Sequence, residues 1–240
     1  MARSEWFVGF VVDVSSDPDK LGYIKVRIPL DDDDTSDEEL PWAYPLLPVT
    51  SASFNGIGIS PTGIEIESQV CGVFLDGETR NERLILGTIP AIRNNDLAKH
   101  DVSPLARGTN IIEKDVSGPE PQTTYNAVYP YNKVHTTKSG HVIEIDDSPA
   151  AERIHIYHRS GSYVELVPDG SIVTKSTKHN YSITQKDNFL HVEGDLKITV
   201  KGNVTLDVDG SMTSKIKDSF TLNSDSSITM KAPNITIERG

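Results

Sequence analysis

Histidine and cysteine are the side chains best suited to metal binding or nucleophilic chemistry, and this 240-residue sequence holds seven of the first and one of the second. Their spacing points away from both chemistries. No His-Glu-x-x-His pattern sets two imidazoles on one helix face with a general base between them. His135, His141, His155 and His158 crowd one stretch, where surface or cross-strand polar roles are expected. The last 20 residues contain no histidine, so no metal is expected at that end. Cys71 lies between Val70 and Gly72 without a neighbouring base, which reads as a small buried hydrophobe. A lone thiol closes no intrachain disulfide. No Ser-His-Asp set stands out, and residues 90–130 hold no paired carboxylates on predicted rigid elements. Catalytic residues, metal and cofactor are therefore all expected to be absent.

The densest charge cluster is Asp31, Asp32, Asp33 and Asp34 with Asp37, Glu38 and Glu39. It lacks the alternating ligands of a calcium loop and reads as a solvated, mobile loop. The chain carries a net charge of -12, and residues 1–130 hold 10 basic against 21 acidic residues, a net of -11. No basic stripe is present, which excludes a nucleic-acid partner. No run approaches the roughly 18 apolar residues of a membrane span. The first residues lack the apolar core of a signal peptide, so synthesis in the cytosol is expected.

Three zones must position whatever function remains. Residues 1–89 hold short apolar runs at 6–14, 23–28, 43–48, 64–66, 70–75 and 84–88, separated by turn signals such as Asp76-Gly77. Five or so strands without a helical period predict a small closed barrel, with Trp6 and Trp42 packing its interior. Residues 90–130, punctuated by Pro90, Pro104, Pro119, Pro121 and Pro130, read as an extended linker. Residues 131–240 read as one β-rich needle, with strands at 141–146, 153–158, 163–167 and 171–175.

The needle carries an eight-residue repeat. Val192-Glu193-Gly194 is followed by Val200-Lys201-Gly202 and Val208-Asp209-Gly210, then weakens at Ile216-Lys217-Asp218 and Ser224-Asp225-Ser226. Between them, apolar residues recur with a spacing of two and so share one strand face. They are Leu196, Ile198, Val200, Val204, Leu206, Val208, Met212, Ile216, Phe220, Leu222, Ile228 and Met230. Alternate positions are mostly Thr, Lys and Asp. Gly194, Gly202 and Gly210 are read as corners whose backbone a side chain would oppose. One such chain offers a thin stripe that cannot close a core. Three wound together close a prism and leave no sheet edge, so a homotrimer is expected. If each octad advances one strand spacing, roughly 13 octads from residue 131 make a rod of about 60 Å. Pro233 is expected to break the register, with Ile235 and Ile237 forming an apolar blunt end.

These octads resemble the C-terminal triple-stranded β-helix of phage cell-puncturing proteins and of the VgrG spikes of type VI secretion. The block from His135 to Pro149, with Glu152-Arg153-Ile154 and His158 to Ser162, resembles the start of that needle. The N-terminal zone resembles the same family's OB-fold domain, through Trp6 to Gly9, Asp17-Pro18, Leu21 to Ile28, Leu40 to Ala43, Gly58 to Pro61 and Gly72 to Gly77. The resemblance implies an all-β chain: an N-terminal OB-fold barrel followed by an intertwined trimeric triple-stranded β-helix needle. It implies a non-enzymatic central spike of a contractile phage tail baseplate, which docks on a separate tail hub, plugs the tube and pierces the host envelope. A PAAR-type tip protein is the implied partner at Ile235 and Ile237. Some phage members carry a lysozyme domain between barrel and needle; here that interval is about 40 residues, too short for one. A VgrG-like effector carrier and a polysaccharide-degrading tailspike are the alternative readings.

Overall fold

The computed structural model describes residues 5–54, 57, 63–90, 121, 124–128 and 130–237. The chain divides after Asn180 into two units. Most of the 90–130 linker reading lies outside the described residues.

The first unit opens with five strands: β1 Trp6–Asp13, β2 Ile24–Arg27, β3 Trp42–Pro45, β4 Gln69–Phe74 and β5 Arg83–Ile89. They close a barrel in the order β1-β2-β3-β5-β4, all pairs antiparallel except β3 with β5. A short 3-10 turn, Gly77–Thr79, precedes β5. Alternation sends Phe7 and Val11 of β1 inward, where they meet Ile24, Val26, Ile28, Ala43, Val70, Phe74 and Ile85. Gly72 is dictated by packing, since a Cβ there would collide with the Leu84 carbonyl and the Phe7 ring.

Trp6 does not pack the barrel. It shares the outward parity of β1 with Val8 and is 71 % exposed. Trp42 is half-buried, with the Lys25 ammonium 4.9 Å over its ring. Residues 64–66 form no strand. Glu67 takes a positive φ of 72° in a turn whose amide returns to the Val11 carbonyl, and that geometry forbids an extended run.

The acidic loop is solvated at most of its carboxylates but anchored at Asp32. Asp32 is buried, accepts the Ile28 amide at 2.7 Å and takes both ends of the Arg83 guanidinium at 2.9 and 2.7 Å. Arg80 joins Asp31 to Glu5, and Arg27 holds Asp37. Three arginines on the barrel thus fix a loop that would otherwise repel itself.

The unit continues in β6 Asn132–Thr136, β7 Val142–Asp146, β8 Arg153–Tyr157, β9 Tyr163–Leu166 and β10 Ile172–Lys175. These form an antiparallel meander in chain order. Its turns use positive φ at Gly140, Ala150, Gly161 and Gly170. These hairpins take up residues 132–175, so the octads are not counted from residue 131.

Candidate functional site: unpaired apolar surfaces

The meander has its burial inverted. Side chains on one face are buried and largely polar: Glu144, Asp146, Arg153, His155 and Glu165. Register sets Glu144 and Glu165 directly on either side of His155, whose Nδ1 lies 3.5 Å from Glu165 Oε1. Arg153 spans both carboxylates, at 2.6 Å to Glu144 and 2.8 Å to Glu165. Tyr125 covers its guanidinium at 4.7 Å. Burial alone would raise the Glu165 carboxyl, but the imidazole and guanidinium beside it bring it below the ordinary glutamate range. His155 is therefore a core residue, whereas His135 and His158 are exposed.

The opposite face is apolar and open. Ile143, Ile145, Ile154, Ile156, Val164, Leu166 and Ile172 all stand exposed in a single chain. These residues occupy the positions that alternation would assign to a core, and no described residue buries them.

The second unit, residues 181–237, contains no strand and no buried residue among those described. Its path is nonetheless regular. The backbone bends at Gln185-Lys186, Glu193-Gly194, Lys201-Gly202, Asp209-Gly210, Lys217-Asp218, Asp225-Ser226 and Pro233, every eighth residue. The same spacing already holds for the bend at Thr177-Lys178. The octad register therefore begins two repeats before Val192 and runs through Pro233 instead of breaking there. Within the second unit, from Gln185 to Pro233, it spans six octads, or roughly 30 Å at one strand spacing each.

Gly194, Gly202 and Gly210 sit at three of these bends, but not for the reason their type suggests. None has a positive φ, and a Cβ at each would meet nothing within the chain. Lys178 and Lys186 hold the same position in earlier bends, and Asp218 and Ser226 in later ones. Backbone conformation therefore does not require the glycines.

All twelve stripe residues are exposed, from Val208 at 45 % to Ile198 at 75 %. Leu190 and Val192, one repeat earlier, extend the stripe. Ile235 and Ile237 are likewise exposed past the last bend. Among the described residues this leaves open an apolar stripe that recurs along nearly fifty residues, together with a backbone whose carbonyls and amides have no ladder. Among the described residues no group of three or more His, Cys, Asp or Glu side chains is placed to hold a metal. What the arrangement offers is assembly surface.

A closed barrel, a five-stranded meander with an open apolar face and an octad-bent tail together define an all-β chain of repeat-bearing type. The chain belongs to the family described as Gp5 N-terminal OB domain, whose model matches residues 27–155. Residues 194–217 match the Gp5 C-terminal repeat in three copies. The chain is 33 % identical over 269 aligned positions to Protein Gp5 of Vibrio phage KVP40, covering 83 % of this chain and 64 % of that protein. It is 39 % identical over 84 positions to the pre-baseplate central spike protein Gp5 of Enterobacteria phage T4, covering 35 % of this chain and 15 % of the relative. The chain thus spans less than two thirds of either relative's length.

Proposed function

We propose that this chain is the structural central spike of a contractile phage tail baseplate, located in the virion tail and acting as a homotrimer without catalysis. The observation that carries the reading is the octad segment: regular, apolar along one stripe and unpaired within its own chain. Such a segment is stable only if other strands supply its ladder and cover its stripe. Three copies turn three stripes inward and pair every edge. The open face of the meander supplies a second apolar surface to the same trimer. The relatives Protein Gp5 and pre-baseplate central spike protein Gp5 support the baseplate assignment.

In this reading residues 1–89 dock on a separate hub protein at the end of the tail tube, through surface such as the exposed Trp6 and Val8. Residues 90–130 link the barrel to a needle of residues 131–240, with the meander as its base and the octads as its shaft. Leu196 through Met230 form the trimer core. Gly194, Gly202 and Gly210 leave room at the corners for neighbouring chains. Ile235 and Ile237 seat a PAAR-type tip protein. The trimer plugs the tube until contraction drives it through the host envelope, and its closed β prism transmits force because unfolding it requires three wound chains to separate. A gold-labelled antibody to a C-terminal tag on this chain tests the placement. Label on the tail axis beyond the tube end is expected; label on fibres or sheath contradicts it.

A further inference from the structure

The outer surface of the barrel has a second region unlike the apolar patch at Trp6. Beyond Phe10, β1 leaves β4 and pairs only with β2, and its register slips between Val11 and Asp13. The slip gives Val12 no partner on β2, and Val12 lines an open groove of about 560 Å³ with Trp42, Asp13, Glu38 and Lys25. A second hollow of about 380 Å³ adjoins it through the shared Val12 and Asp37, reaching Phe10, Ile66 and Glu67. Cavities of a few hundred Å³ accommodate two or three side chains of a bound segment.

The charges of this groove are unequally matched. Lys25 is buried, with its ammonium over the Trp42 ring and donating to the Glu38 carbonyl. Arg27 is consumed by Asp37 and the carbonyls of Asp32 and Thr35. Both cations therefore serve the fold. Asp13, Glu38 and Glu67 have no salt-bridge partner among the described residues. Burial opposes ionisation of Asp13, but hydrogen bonds from Ser16 and Ser15 outweigh it and keep the carboxylate charged. Unmatched carboxylates around an aromatic floor complement a guanidinium or ammonium on an aliphatic stem, through charge at the rim and cation–π contact below.

We propose that this groove over β1, β2 and β3 binds an extended, arginine- or lysine-bearing segment of a partner protein. The groove shares no lining residue with the apolar stripe or the open meander face and does not depend on the spike reading.

The probe is an N-acetylated, C-amidated (Gly-Arg)4 peptide, titrated by calorimetry and tryptophan fluorescence at low and moderate salt against the full chain in its native assembly. Saturable binding of about one peptide per chain is expected. The double variant Asp13→Asn with Glu38→Gln should weaken it at least tenfold; asparagine retains the oxygen that accepts the Ser15 and Ser16 amides. Asp34→Asn with Glu152→Gln removes the same charge from exposed positions outside the groove and should leave affinity unchanged. Trp42→Phe should abolish the fluorescence response while binding persists. Equal weakening in both double variants would reduce the effect to general attraction to an acidic protein and overturn the proposal. So would absence of saturation, a response that survives Trp42→Phe, or tighter binding of an acidic peptide or an oligothymidylate. Unchanged thermal midpoints show that the variants remain folded.

Discussion

Arg83 shows how one side chain can hold a loop that its own charges would drive apart. Its guanidinium is buried between the Val26 carbonyl and both oxygens of Asp32, which in turn caps the Ile28 amide. Arg83→Ala strands a buried carboxylate, and removing one partner of such a pair costs about 3–5 kcal/mol. Chemical denaturation should show that loss, with a smaller one for Arg80→Ala, whose partners are solvent-exposed. Gly72→Ala should cost about 1–3 kcal/mol by overpacking against Phe7 and the Leu84 carbonyl, read the same way. Glu165 carries a pH signature. Its carboxyl is lowered in the fold, so its stabilisation is present above the unfolded value near 4.5 and is lost as pH falls through the folded value. Glu165→Gln should flatten the acid limb of the stability curve below about pH 4.5 while leaving a deficit at neutral pH. An unchanged acid limb would count against the buried network.

At the scale of elements, most strands were legible from alternation, and the exceptions have physical causes. Asn132–Thr136 carries a single apolar residue, Val134, so its pairing with β7 left no apolar signature. β1 is apolar on both parities, Trp6 and Val8 against Phe7 and Val11, so period alone could not tell which tryptophan side was the core. The meander is the sharper case. A period of two tells which residues share a face, but not which face a single chain buries, and here the isoleucines are open while Glu144, Arg153 and His155 are inside. The three Val-x-Gly units revealed the octads, yet the bends extend back to Thr177-Lys178 and on to Pro233, where no valine or glycine marks them. Hydrophobic type and turn residue were legible; a geometric repeat carried by backbone path was not. Because Leu206 is exposed in one chain, Leu206→Asp should leave the barrel's thermal transition unchanged and abolish the trimer proposed above. Size-exclusion chromatography with light scattering reads the second effect and calorimetry the first.

For the whole molecule, one demand unites the two units. The meander exposes one apolar face and the octad tail a second, and among the described residues both stand open. A chain of net charge -12 with that much open apolar surface would aggregate unless the surface were closed in a defined assembly. The decisive measurement is the mass in solution by sedimentation equilibrium, before and after heating in detergent. The account predicts three chain masses, about 79 kDa for a chain of 26.3 kDa, that survive unheated detergent and fall to one chain on boiling. A stable, well-folded monomer would contradict it, because the octad segment would then be standing without the strands that its path requires.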